Sequence, residues 1–281
     1  MAAATPLYQI RLAVRRELED LAAGDTVIVA ASGGADSLAL AAALLPECKS
    51  LALRAIALIV DHGLQSNSAD VAHEAKKELV KLGYENVEIR KIKVEVTDGL
   101  EASARRARYA AINDVAKLHN ATAVFLGHTK DDQAETVLMR LTRGSGAKSL
   151  SGMAQVSGKY LRPFLHLRKK FVHDSLDLIG LKAWQDPANT DSQFLRVKVR
   201  HELMPKIVEV LGESAISSLD KTSQLLRVDN QALEDLAQKF FESQKDVKIN
   251  GLEISELEKL PEAIRTRVKR NRRLGNCMIK S

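Results

Sequence analysis

From Thr26 onward, the chain alternates between two patterns of apolar and polar positions. Longer segments with helical spacing separate short runs of β-branched residues. The predicted strands cover 26–31, 54–60, 87–94 and 122–126, and the predicted helices cover 36–46, 70–82, 100–119 and 131–142, the first ending at Pro46. This alternation predicts a doubly wound, mostly parallel α/β sheet with helices on both faces. Ligands of such sheets bind beyond the carboxyl ends of the strands.

The same pattern divides the chain into three predicted segments. Residues 1–148 hold the strand–helix alternation and form the nucleotide-binding sheet domain. A stretch rich in Arg, Gly and Ser then leads into residues 149–205, which we interpret as a connecting segment that completes the active site. Residues 206–281 carry apolar residues at helical spacing and predict a smaller helical second region with a basic tail.

Composition excludes several classes of protein. The 281 residues are 45% hydrophobic and 28% charged, which is typical of a globular chain and not of a disordered one. No apolar run approaches the ~20 residues of a membrane span, and the charged N-terminal segment does not resemble an export signal. Cys48 and Cys277 are too few for a disulfide framework or a four-thiolate metal site. We expect a cytoplasmic protein with no membrane contact and no obligate protein partner.

The net charge of +6 is concentrated at one end of the chain. Residues 265–281 contain seven basic and no acidic residues, and the remainder has 35 basic and 36 acidic residues. Such a run is either a solvated charged tail or a contact for the phosphates of a nucleic acid.

The loop after the first predicted strand, Ser32 to Ser37 (SGGADS), is the strongest chemical signal. Adjacent glycines allow backbone N–H groups to turn inward, and the following helix N-terminus attracts phosphate. No Lys follows, as it would in the loop of NTPases that cleave between the β- and γ-phosphates. Asp36 suits a phosphate only if Mg²⁺ lies between them, which favours a Mg²⁺–nucleotide. The alternative is an ordinary Gly-Gly turn with Asp36 as the helix cap.

This loop resembles the PP-loop of the N-type ATP pyrophosphatases, whose fold is like that of the adenine nucleotide alpha hydrolases. Further motifs resemble, in the same order, those of the tRNA(Ile)-lysidine synthetase family, and the resemblance covers about residues 26–210. They are Val60 to Leu64 (VDHGL), Glu101 to Tyr109 (EASARRARY), Gly127 to Thr136 (GHTKDDQAET), Arg162-Pro163, Trp184 to Asn189 (WQDPAN) and Phe194 to Arg200 (FLRVKVR).

The resemblance implies a ligase that modifies the wobble cytidine of an isoleucine tRNA with a CAU anticodon. ATP adenylates O2 of the base, and L-lysine then displaces AMP to give lysidine. The implied ATP-binding residues are Ser32, Gly33, Gly34, Ala35, Asp36, Ser37, Asp61 and His62. The implied catalytic residues are Asp36, Arg105, His128 and Asp132, with Asp36 and Asp132 on Mg²⁺. Asp132 and Glu135 are assigned to lysine, and Arg108, Arg196 and Arg200 to tRNA.

The residues themselves agree with this chemistry. His128 ends the fourth predicted strand, and Asp132 and Glu135 lie three apart on the next helix, hence on one face. Such carboxylates can hold Mg²⁺ or the ammonium groups of lysine, and a nearby His or carboxylate can accept the proton that the attacking amine loses. The alternative is that Asp131 and Asp132 are ordinary surface acids stabilised by the helix N-terminus.

Two other functions are compatible with a PP-loop. A tRNA sulfurtransferase of this superfamily needs catalytic cysteines or an iron–sulfur cluster, and neither Cys48 nor Cys277 is suitably placed. A nucleotide-sensing module would bind ATP without catalysis, and the complete block around His128 argues against it. The ending RNRRLGNCMIKS does not resemble a completed family domain, so we expect a truncation or an altered reading frame there.

Overall fold

The computed structural model describes residues 5–63, 67–97, 99–144, 146–181, 183–184, 194–243 and 254–273. Its strands are β1 (Thr26–Ala30), β2 (Arg54–Asp61), β3 (Asn86–Lys91), β4 (Ala123–Leu126), β5 (Val156–Ser157) and β6 (Tyr160–Leu161). Its longer helices are α1 (Pro6–Arg16), α2 (Ala35–Ser50), α3 (Ser68–Lys81), α4 (Leu100–Leu118) and α5 (Lys130–Leu141). They are followed by α6 (Ala147–Leu150), α7 (Lys169–Asp177), α8 (Leu195–Lys198), a π-helical turn (Val199–Leu203), α9 (Met204–Leu211), α10 (Ser214–Ser243), α11 (Ile254–Glu258) and α12 (Glu262–Arg273).

The six strands form one sheet in the order β3-β2-β1-β4-β6-β5. All neighbours are parallel except β5 and β6. The predicted α/β class with a mostly parallel sheet is therefore confirmed. The chain runs from β1 outward to β3 and returns to β4 on the other side of β1, so the strand order reverses between β1 and β4. Ligands of open α/β sheets bind at such a reversal.

Alternate residues of the central strands face opposite layers of helices. Val27 and Val29 of β1 belong to one apolar cluster with residues of α1, α2, α3 and α7. Ile28, between them, belongs to a second cluster with residues of α4. A strand buried on both faces explains why the β1 sequence is an uninterrupted apolar run.

Helix α2 continues through Pro46 to Ser50, so the predicted end at Pro46 is wrong. Proline removes one backbone donor and disfavours a helix interior. Here Pro46 points to solvent, and residues on either side of it are buried. Leu45 and Cys48 pack in the core, and the wholly buried Glu47 pairs with Arg11 and Arg15 of α1 at 2.7 Å each. Tertiary packing and these ion pairs outweigh the local cost of the proline.

Replacing Glu47 with Gln should lower the free energy of unfolding by about 1.5–3 kcal/mol, the usual contribution of hydrogen bonds to a charged group. Burial raises the pKa of Glu47, but its bonds to Arg15 and Arg11 lower it further, so the net pKa is below the usual value. The stabilisation is therefore present above the pKa of the unfolded state and is lost as pH falls through the folded pKa. Urea unfolding at pH 7 and pH 3.5 measures both effects. The exposed Glu19→Gln is the control, and equal stability of the two variants at pH 7 would contradict the prediction.

The internal contacts of the chain define two compact units. The first comprises Met1–Met139 and Met153–Asp220, and the second comprises Arg140–Gly152 and Lys221–Ser281. These limits differ from the predicted boundaries at 148 and 205, because Met204 and Ile216 share an apolar cluster with Ala134 of α5. The division into functional segments stays a prediction.

The second unit shows that the basic run is not simply a tail. Residues 262–273 form helix α12, and Val268 is fully buried in a cluster with Ala237 and Leu257. Arg267 bonds Asn230 at 2.9 Å and so helps to attach α12 to α10. Residues 274–281 lie outside the described residues. In the part of the chain that is described, no helix is long and apolar enough to cross a membrane.

Candidate active site

The SGGADS loop connects β1 to α2 at the point where the strand order reverses. Gly33 has φ +82°, and a Cβ there would lie 3.0 Å from the Cβ of Ala75. The loop closes on itself because Ser37 Oγ donates to the Gly34 carbonyl at 2.8 Å and accepts from the Ser32 N–H at 3.1 Å. Ala35 begins helix α2, so the loop leads directly into a helix N-terminus, as a phosphate-binding loop requires.

Asp36, in the first turn of α2, is held by two side chains of α7. Lys169 Nζ lies 3.0 Å from Asp36 Oδ2, and His173 Nε2 lies 2.9 Å from Oδ1. The backbone N–H of Lys169 donates to Asp131 Oδ2 at 2.7 Å, which fixes the start of α7 against α5. The sequence gives no signal for either contact, because neither Lys169 nor His173 belongs to one of the motifs.

The Asp36 carboxylate fits Mg²⁺ as a single oxygen ligand. Mg²⁺ in nucleotide sites is usually bound by one or two carboxylates together with phosphate oxygens. Among the described residues, no group of three or more His, Cys, Asp or Glu side chains is placed to hold a metal alone. Mg²⁺ would therefore arrive with the nucleotide, and Lys169 and His173 would have to give up part of their hold on Asp36.

Asp61 and His62 follow β2, beside the loop. Asp61 is buried, and its Oδ1 accepts the N–H of Gly63 at 2.9 Å. An open cleft of about 530 Å³ lies beyond the ends of β2 and β3. It is lined by His62, Gly63, Lys91, Ile92, Lys93 and Val94. The cleft is compatible with the predicted nucleotide contact of His62, which stays a prediction, and Leu64 of the same motif lies outside the described residues.

The end of β4 lies against the start of α2. A Cβ at Gly127 would be 2.9 Å from the carbonyl oxygen of Asp36, so only glycine permits this approach. Thr129 and Asp132 then form a reciprocal cap of α5, in which Asp132 Oδ2 accepts the N–H and the hydroxyl of Thr129, both at 2.8 Å. The local sequence thus places His128 between two helix N-termini.

The buried acids Asp132 and Glu135 form an ion network with the half-buried Arg196 and Arg200. Asp132 Oδ1 accepts from Arg200 at 2.9 Å and from Arg196 at 3.3 Å. Glu135 Oε1 accepts from Arg200 at 2.7 Å, and Oε2 accepts from both arginines at 2.9 Å. The two carboxylate oxygens of Asp132 together accept four hydrogen bonds. Its predicted second role as a Mg²⁺ ligand therefore does not fit. The tRNA role of the two arginines stays a prediction, but their charges are already compensated here.

His128 is neutral at pH 7. Burial lowers its pKa from the ordinary 6.5 to about 3, and Arg108, Arg162 and Arg196 lower it against the opposing effect of Asp132. Asp132 stays ionised, because Arg196 and the other cations around it outweigh the effect of burial and hold its pKa below the usual 3.8. The site therefore presents an uncharged imidazole beside a permanent carboxylate.

Three arginines lie around Tyr109 of helix α4. The exposed Arg105 lies with its guanidinium carbon 4.9 Å from the centre of the Tyr109 ring. Arg105 donates to the Tyr109 hydroxyl at 3.3 Å, and Arg108 lies 5.6 Å from the same ring centre. Burial raises the pKa of Tyr109, but these two arginines and Arg162 together outweigh it and lower the pKa below its usual value. The predicted role of Arg105 in catalysis stays a prediction. The only sequence signal for Arg162 was its place in the Arg-Pro motif.

Residues after α7 return to the loop. The backbone N–H of Trp184 donates to the Gly33 carbonyl at 3.1 Å, which ties this segment to the PP-loop. The rest of that motif, Gln185 to Asn189, lies outside the described residues.

Residues 8–207 match the PP-loop domain family, so fold and site define a PP-loop ATP-binding protein. The chain is 48% identical to the tRNA(Ile)-lysidine synthase of Thermobifida fusca (strain YX) over 265 residues, covering 94% of this chain and 82% of that protein. It is 46% identical to that of Streptomyces coelicolor, over 87% of this chain and 70% of that protein. The chain therefore belongs to the tRNA(Ile)-lysidine synthase family.

The fold is also similar to that of the U34-tRNA thiolase NcsA from Methanococcus maripaludis, solved with its [4Fe-4S] cluster. The TM-score is 0.65 at 19% identity, covering 79% of this chain and 80% of that one. This likeness concerns the fold alone. Cys48 is buried in α2, where burial raises its thiol pKa to about 12, so it is unsuited to sulfur transfer. Cys277 lies outside the described residues.

Proposed function

We propose that this chain converts the wobble cytidine of a CAU-anticodon isoleucine tRNA to lysidine, with ATP and L-lysine as co-substrates. The observation that carries the proposal is the meeting of the PP-loop with the His128, Asp132 and Glu135 block at the reversal of strand order, in a chain of this family. A phosphate-binding loop beside a neutral imidazole and an acid pair provides for the nucleotide, the reaction centre and an amine.

The reaction proceeds in two displacements. O2 of the cytidine attacks the α-phosphorus of ATP, and the bond to pyrophosphate breaks. An amine of lysine then attacks C2 of the adenylated base, the bond from C2 to O2 breaks, and AMP leaves with that oxygen. The attacking amine gives up its proton to a neighbouring base.

The PP-loop residues bind the triphosphate through backbone N–H groups and the Ser32 and Ser37 hydroxyls. Bound Mg²⁺ would neutralise phosphate charge, with Asp36 as its protein ligand. If Lys169 released Asp36, the Lys169 ammonium group would face the phosphates bound at the same loop. His128 lies one residue beyond the contact between Gly127 and Asp36, which suits a hydrogen bond at the reacting oxygen.

Asp132 and Glu135 bind the ammonium groups of lysine. Their capacities differ, because Asp132 receives four donors and Glu135 Oε1 receives one, from Arg200. A carboxylate oxygen can accept a second donor. Glu135 is therefore the main lysine ligand of the pair, and Asp132 chiefly holds the α5 start and the two arginines in place.

The direct test is incubation with ATP, isotopically labelled lysine and unmodified isoleucine tRNA carrying a CAU anticodon, followed by nucleoside analysis. The proposal expects labelled lysidine and one AMP per lysine incorporated. ATP binding without AMP formation or incorporated lysine would reject it and favour a nucleotide-sensing module.

Glu135→Gln should raise the KM for lysine by about 10-fold or more, since a charge-assisted hydrogen bond is lost. Asp132→Asn should raise it less and should lower the melting temperature more, because it removes one of the two carboxylates that compensate Arg196 and Arg200. Lysine titrations at saturating ATP and thermal melts measure the two effects, with the exposed Glu85→Gln as control. A change confined to Mg²⁺ dependence would assign the acid pair to the metal instead.

A further inference from the structure

Two guanidinium groups beside His128, those of the buried Arg162 and the half-buried Arg108, have no carboxylate partner in the described part of the chain. Arg162 is 6% exposed, and the Nε atoms of Arg162 and Arg108 are buried without a hydrogen-bond partner. Within the described ranges, neither forms an ion pair with a carboxylate. Arg162 donates to the Ala154 carbonyl at 2.9 Å, which is an uncharged partner.

The two groups meet at one place. Tyr109 links them, since Arg108 lies 5.6 Å from its ring centre and its ring packs at 5.1 Å against that of Tyr160, two residues before Arg162. His128 Nδ1 is a third buried atom without a hydrogen-bond partner, and both guanidiniums act electrostatically on the His128 ring. Three unsatisfied polar atoms therefore surround one small region next to the reaction centre.

Buried charges are costly unless they are paired and hydrogen-bonded. The contrast with Arg196 and Arg200 is informative, because those arginines are compensated by Asp132 and Glu135. The cost of leaving Arg108 and Arg162 uncompensated indicates a site preorganised for an oxyanion that arrives with a substrate. Guanidinium groups suit a carboxylate because they can donate two parallel hydrogen bonds to it.

We propose that Arg108 and Arg162 bind the α-carboxylate of the lysine substrate and so select an α-amino acid over a simple amine. This inference rests on the proposed function. A zwitterionic amino acid needs an acidic and a basic subsite close together. Asp132, Arg108 and Arg162 all lie around His128, and Glu135 adjoins Asp132 through their shared arginine partners. The triphosphate already has its own donors in the loop after β1. Arg108 is thereby moved from the predicted tRNA contacts to the amino-acid site.

The test compares lysine with lysinamide, which lacks the carboxylate, in the full chain with ATP and tRNA. Arg162→Gln and Arg108→Gln should each raise the KM for lysine roughly 10- to 100-fold, the range expected for a hydrogen bond to a charged group. The kcat/KM for lysinamide should stay within about twofold of wild type, so the preference for lysine falls by the same factor. Arg162→Lys should recover part of the preference, and the exposed Arg16→Gln should change neither substrate.

Adenylation without lysine, followed as pyrophosphate release, separates this inference from the proposed function. A lower ATP affinity with an unchanged lysine preference would overturn the carboxylate assignment and give the site to a phosphate. An equal loss for lysine and lysinamide would overturn it in favour of a packing role. Absence of lysidine with the wild-type chain would reject both the proposed function and this inference, whereas normal lysidine formation with unchanged discrimination rejects the inference alone.

Discussion

Asp36→Ala is expected to abolish both adenylation and lysidine formation, with a loss of at least about 10³-fold in turnover, as for the removal of a preorganised electrostatic group at a reacting centre. The carboxylate is the only acidic group of the SGGADS loop, and it sits in the first turn of α2 where a Mg²⁺–nucleotide would be anchored. Its removal also leaves Lys169 and His173 without the acid that positions them at 3.0 and 2.9 Å. Pyrophosphate release with tRNA and ATP measures the first step, and nucleoside analysis measures the second.

The matched control is Asp174→Ala, an exposed acid on α7 next to His173. That variant should keep wild-type rates. Asp36→Asn should be as inactive as Asp36→Ala if negative charge is what the site needs, because it keeps the shape and loses the charge. Undiminished adenylation in either Asp36 variant would remove this residue from the chemistry.

The central fold follows from the sequence because its signals are local. β1 and β4 are short apolar runs, and each is followed by a turn and a helix, so periodicity alone locates them. The ends of elements are predicted less well. Helix α2 passes Pro46 because Glu47 and Cys48 beyond it are held by the core, and this information lies in residues 30 or more positions away along the chain.

The short strands β5 and β6 and helix α1 were not predicted. Strands of two residues carry no periodic signal, and β6 exists because it pairs with β4. Helix α1 has charged residues along one face, and only Ile10 and Val14 are fully buried within it. The basic run of 265–273 was interpreted by charge alone, although Val268 within it is a core residue of the second unit.

For the candidate site, motifs identify the residues and the structure supplies their partners. Spacing predicts that Asp132 and Glu135 share a helix face, but it does not predict that Arg196 and Arg200 pair with both. Pairing across 61 to 68 residues depends on how α8 and the π-helical turn dock on α5. The contacts of Lys169 and His173 with Asp36 have the same origin. A charged residue in a motif therefore indicates a site more reliably than it indicates a role.

His128→Ala is expected to lower turnover by about 10²- to 10⁴-fold while the affinity for ATP stays within about twofold. The triphosphate is bound at the PP-loop, whereas His128 Nδ1 is a buried atom without a hydrogen-bond partner at the end of β4. Isothermal titration with a non-hydrolysable ATP analogue and single-turnover adenylation measure the two quantities. If ATP affinity falls as much as the rate, His128 is a binding residue.

The neutral state of His128 gives the more discriminating result. Because burial and the neighbouring arginines hold its pKa near 3, the imidazole keeps one donor and one acceptor across the physiological range, and its charge does not change near pH 6.5. The kcat/KM for adenylation should therefore show no ionisation of His128 between pH 6 and 8. His128→Gln, which also offers a neutral donor and acceptor, should recover about two- to tenfold of the activity lost in His128→Ala, since a neutral hydrogen bond contributes about 0.5–1.5 kcal/mol. A wild-type profile with an acidic limb at pH 6.5 that disappears in the Gln variant would show instead that His128 titrates and transfers the proton itself.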